Sequence, residues 1–243
     1  MIQLSDYRSG GYFLTRQAKR SDWMAEFLPD NILSISSDIC DFVPDVWTLE
    51  WTSSNLNTKQ KKALEFGLNA GAHQELMGWV TKEFNKKEIG FCKVIFRLEM
   101  ARYIREHFLR HLPDMVLFGI GLHSSLCDDF LDKTKPAPTV PGFAPNGETG
   151  AHAAISLNLP LAPNGIPLGF EPVVHGIAGL ECSWLCNSLE VDAREKFKIS
   201  INERGFIDNF DDALKLTNLI NKGVISAEPG LWLPWLLVDY TQT

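Results

Sequence analysis

The sequence predicts an α/β or α+β fold, a mixed sheet layered with several helices, and three observations carry that prediction. Helical and strand-like patterns are interleaved along the chain, as layered mixed folds require. Two almost wholly apolar runs, residues 115–122 and 231–240, read as strands covered on both faces. The length of 243 residues, with 45% hydrophobic and 22% charged side chains, suits a single mixed α/β domain over residues 1–243. A chain of that size buries a large core without disulfide or metal staples.

The elements follow in order. Strands are expected at residues 12–15, 32–36, 47–51, 115–122, 172–177 and 231–240. Pro234 removes a ladder donor, which assigns the last strand to a sheet edge or a bulge. Ser21 is placed to cap a short helix that Pro29 stops. Asn57, with Gln60 three residues on, caps a long helix towards Phe84, with Leu64, Leu68, Leu76, Trp79 and Val80 at helical spacings. A second long helix is expected from Glu88 to Leu112, before Pro113, and a third from Ser183 to Phe197. Asn209, with Asp212 at the third position, opens a helix that Gly223 closes.

Residues 135–167 stand apart as a long Pro/Gly-rich loop with few charges. Ala-Pro-Asn-Gly occurs there twice, ending at Gly147 and Gly165. Proline presets φ while Asn and Gly accept positive φ, so these are turns, flanking an extended piece over residues 151–159.

Charge and cysteine usage bound the function. There are 23 Lys plus Arg against 30 Asp plus Glu, a formal charge of −7. Nucleic-acid binding needs a basic surface, so it is not expected. No signal-like N-terminus and no apolar run of about 20 residues occurs, so a cytoplasmic, membrane-free protein is expected. Five irregularly spaced cysteines are not a disulfide framework and read as reduced thiols.

The sequence echoes itself once. His123-Ser-Ser-Leu-Cys127-Asp128 and Cys182-Ser-Trp-Leu-Cys186-Asn187 share Ser, Leu and Cys, each where a strand runs into a helix. Side by side in one sheet, such turns build a site at the strand ends. Each is equally a serine cap with Leu and Cys buried one turn later. Cys182 and Cys186, four apart, sit near a helix start that favours thiolate, with His123 and His175 as candidate bases. His107 and His111, also four apart, are the only metal candidates, without the peptidase Glu after the first His. No phosphate loop, dinucleotide fingerprint or nucleophile elbow is present. No cofactor is expected.

The primary expectation is an acidic protein-binding domain of the immunity or inhibitor kind, blocking a basic partner such as a nuclease toxin. Acidic residues cluster at 38–45, 128–132 and 208–212. Asp128, Asp129, Asp211 and Asp212, with Trp232 and Trp235 as aromatic anchors, are the candidate contacts. The alternative is a small-molecule-binding protein or enzyme built on His123, Cys127, His175, Cys182 and Cys186.

Overall fold

A computed structural model describes residues 2–43, 56–90, 94–134, 150–176 and 179–242. Six of its strands form one antiparallel sheet: β1 (Tyr7–Arg16), β4 (Asp41–Phe42), β5 (Met115–His123), β6 (Ile166–Gly176), β7 (Gly179–Ser183) and β8 (Leu231–Asp239). Their order is β4-β1-β5-β8-β6-β7. Two short strands, β2 (Ala18–Lys19) and β3 (Asn31–Ile32), pair separately. The described helices are α1 (Leu56–Glu65), α2 (Ala70–Asn85), α3 (Leu98–Phe108), α4 (Ser124–Lys133), α5 (Gly150–Ser156), α6 (Leu189–Glu195) and α7 (Phe210–Asn221). The mixed α+β architecture is the one the sequence predicts. Among the described residues no helix is long and apolar enough to cross a membrane.

The apolar runs are strands because both sheet faces are covered. Alternate residues of β5 divide between them: Phe118, Ile120 and Leu122 pack with Phe130 of α4 and Ile155 of α5. Met115 and Leu117 join Ala101 and Ile104 of α3 on the other face. Trp232 and Trp235 divide the same way, each buried in a different face. They are core residues, so neither anchors a partner.

β8 is a central strand, not an edge, and Pro234 is accommodated by register. It faces Pro172 across the β6–β8 ladder. Phe170, two residues before Pro172, exchanges its backbone bonds with Ile207 instead of β8. Alternation then makes Pro172–Pro234 a position without inter-strand bonds, so both missing donors fall where β6 and β8 need none.

The sheet is internally duplicated. In the first half Tyr12 exchanges backbone bonds of 2.7 and 3.1 Å with Ile95, and Glu88–Phe96 and Gly90–Val94 bonds close a hairpin. In the second half Phe170 exchanges bonds of 2.8 and 3.0 Å with Ile207, and Ser200–Asp208 and Asn202–Phe206 close the matching hairpin. α3 and α7 follow at once, and Ile89, Ile95, Ala101, Ile104 and Phe108 recur at constant spacing as Ile201, Ile207, Ala213, Leu216 and Ile220. β1 and β6 each bulge at a glycine, Gly11 and Gly169, with φ of 108° and 133°. The strand order makes the halves related by an approximate twofold axis through the β5–β8 seam.

Several helix expectations fail at identifiable places. The long helix towards Phe84 is two helices, with Asn57 inside the first. Gly67 adopts φ 69° and Leu68 N–H reaches Ala63 C=O, a Schellman stop. Asn69 then caps α2 through Ala72 N. Residues 88–90 and 94–96 pair with each other, and Ile95 with Tyr12 of β1, instead of extending α3, because this tertiary pairing outweighs helical spacing. Ser188, at φ 51°, splits the helix expected from Ser183 into a 3₁₀ turn (Trp184–Asn187) and α6. Residues 21–29 form turns, not a helix, and β3 ends at Ile32 instead of reaching residue 36. Within the Pro/Gly-rich stretch the expected extended piece is α5, and β6 already begins at Ile166. The expected strand at 47–51 and the loop portion 135–149 lie outside the described residues.

The cap at Asn209 forms as expected. Its Oδ1 accepts from Asp212 N at 2.9 Å and its Nδ2 donates to Asp212 Oδ2 at 2.9 Å, while Gly223 ends the helix at φ 69°. Asn209→Ala is expected to lower unfolding free energy by about 1 kcal/mol, read from urea midpoints at unchanged slope.

Candidate functional site

Two short segments meet beside β7 and form a polar cluster that runs from the core to the surface. In residues 34–38 every second side chain points the same way. Ser34 Oγ donates to Glu171 Oε1 at 2.6 Å, Ser36 Oγ accepts from Cys186 Sγ at 3.2 Å, and Asp38 Oδ2 accepts from Cys182 Sγ at 3.4 Å. The segment is held by its own serines: Ser36 N donates to Ser34 Oγ, and Asp38 N to Ser36 Oγ. Opposite it, the end of β7 and the following 3₁₀ turn bring Cys182, Ser183 and Cys186 together. Asn187 anchors this turn, donating to Ser183 C=O and accepting from Glu228 N. Glu228 also lines a cleft of about 430 Å³ with Ser226, Pro229 and Trp232.

The inner end is Glu171, on β6 and fully buried. Its carboxyl accepts from Ser34 Oγ, from Ile35 N at 2.9 Å, and from the Ser183 hydroxyl. Burial pushes its pKa up to about 7, and the three donors hold it from rising further. The matching position in the first half is Phe13, stacked on Phe118. A carboxyl thus occupies a site where the duplicated scaffold elsewhere places an aromatic ring.

The outer end is the pair of partly exposed thiols with Asp38. Burial pushes the Cys182 thiol well up, and the Glu228 and Asp38 carboxylates act in the same direction. Among the described residues no histidine hydrogen-bonds to either thiol.

The other sequence candidates are dispersed. The two echoing turns are not side by side: β5 and β7 are separated by β8 and β6 and run antiparallel. Cys127 is buried, bonding to Leu122 and His123 carbonyls, and burial raises its pKa to about 11. His123 caps α4 through Ser125 N and stacks on Phe210 at 4.5 Å. His175 lies against Phe130 with its Nε2 unpartnered, and burial with the nearby His152 lowers its pKa to about 4. His107 pairs with Glu75 at 3.2 Å, whereas His111 bonds the Phe66 carbonyl at 3.0 Å, so the two do not converge on one ion.

Glu171, Asp38, Ser34 and Ser36 were not selected by motif. The usable signals were a Glu inside an apolar strand run and the alternation Ser34-x-Ser36-x-Asp38. No family model, curated protein or solved structure matches this chain.

Proposed function

We propose that this chain is an acidic protein-binding domain of the immunity or inhibitor kind, acting in the cytoplasm on a basic partner such as a nuclease toxin. One observation carries the reading: two helices that bear acidic segments distant in sequence start in contact with each other. His123, at the start of α4, stacks on Phe210, at the start of α7. That contact joins the starts of the two helices, α4 carrying Asp128 and Asp129 and α7 carrying Asp211 and Asp212, with Asp208 just before it, and Ser124 Oγ bonds the Asp6 carbonyl at 2.7 Å. Arg8 and Lys133 pair with Asp128 and Asp129 at 3.4 and 2.8 Å, and Asp208, Asp211 and Asp212 form no ion pair among the described residues. Exposed charges of one sign steer an oppositely charged partner and make association salt-sensitive.

A photocrosslinking residue at position 211 is expected to capture a basic protein in cells that make this chain, and one at exposed position 82 on α2 to capture none. Salt should reduce capture. Reversal of Asp128, Asp129, Asp211 and Asp212 to Lys should slow association by roughly tenfold or more. No adduct at 211, an acidic adduct, or indifference to charge reversal overturns the reading.

A further inference from the structure

We propose that Asp38, Cys182 and Cys186 bind a zinc ion. Their ligand atoms lie within 4.8 Å of one another. Zn–S bonds of about 2.3 Å and Zn–O bonds of about 2.0–2.2 Å need ligand atoms closer than that, so small side-chain rotations complete the site. Cys182 and Cys186 are unbridged, and their spacing of four falls within the range zinc sites use. Two thiolates make the site soft and select zinc over magnesium or calcium.

The surroundings suit a cation. Each of the three groups is an anion when deprotonated, and Glu228 stands beside Cys182 as a fourth ligand and second oxygen donor. Among the described residues no Lys, Arg or His forms an ion pair with Asp38. Zinc binds thiolate, so each thiol gives up its proton as the metal enters. Ser36 already holds both ligating segments, accepting from Cys186 and from the Asp38 backbone. Outer contacts of this kind orient ligands before the metal arrives. The site shares no residue with the acidic segments of α4 and α7, so its test is independent of the partner-binding proposal.

The test is titration of the reduced full chain with cobalt(II), then displacement by zinc. The expected result is one equivalent of cobalt with a thiolate charge-transfer band, bleached by zinc, with proton release measured in weak buffer. Zinc should protect Cys182 and Cys186 from alkylation in peptide mapping of the unmutated chain. Cys182→Ser and Cys186→Ser should each weaken binding by more than the roughly 10–100-fold that outer-contact substitutions cost. Asp38→Asn, at an exposed position, weakens binding with the fold intact by circular dichroism. No thiolate band at equimolar cobalt, or a band and protection unchanged in the Cys182→Ser/Cys186→Ser double variant, overturns the proposal.

Discussion

Glu171→Gln is expected to expose a loss of stability on acidification that the unmodified protein conceals. The folded pKa of Glu171, about 7, lies above its ordinary 4.5. Its contribution is therefore fully present below pH 4.5 and is lost as pH rises to about 7, a change of about 3 kcal/mol. His175 works in the opposite sense. Its folded pKa, about 4, lies below its ordinary 6.5, so its contribution is present above pH 6.5 and is lost as pH falls to about 4. Between pH 4.5 and 6.5 the two slopes cancel. Removing the carboxyl leaves the histidine unopposed, so Glu171→Gln loses stability relative to the parent as pH falls through that window. His175→Phe does the reverse. Denaturant unfolding at fixed pH values measures both. Parallel curves for parent and Glu171→Gln would show that the buried carboxyl is not titrating in the fold.

Gly11→Ala and Gly169→Ala should each cost about 3 kcal/mol or more, summing backbone strain and overpacking. A β-carbon at Gly11 would sit 2.2 Å from Val94 Cγ1, at φ 108°. At Gly169 it would sit 2.6 Å from Phe206 Cβ and 2.9 Å from the Ile207 carbonyl, at φ 133°. These neighbours belong to the two matching hairpins, so a side chain at either bulge forces the hairpin off its strand. Gly223 is the internal control. Its φ is 69° with nothing within 4 Å, so Gly223→Ala should cost only about 1 kcal/mol of left-handed strain. Equal losses at all three positions, measured by urea unfolding, would refute the packing argument.

The fold class was legible because β5 and β8 are so apolar that only two covered faces satisfy them. The Asn209 cap was legible because it is local. The helix over 88–112 misled because Val94 and Phe96 fit helical stripes with Leu98, Ala101 and Met100 as well as a hairpin, and only the pairing of Ile95 with Tyr12 of β1 decides. Pro234 misled for the same reason: its tolerance depends on Pro172, sixty-odd residues away and invisible to any local rule. At the candidate site the cysteines were legible from their spacing. Their partners were not, since Ser34, Ser36, Asp38 and Glu171 arrive from other strands and loops. The acidic clusters read as separate runs, and the contact between the helices that carry them, the His123–Phe210 stack, is not a local feature.

The β5–β8 seam has a consequence for synthesis. β5 is complete at His123, whereas its inner neighbour begins at Leu231. A ribosome therefore makes the whole first half before any residue of β8 exists. β1 can occupy one edge of β5 during that interval, while the other stays an open apolar edge of the kind that invites pairing between chains. The chain is most vulnerable to aggregation while residues 124–230 are being made, and β8, the last of the described strands to emerge, closes that edge.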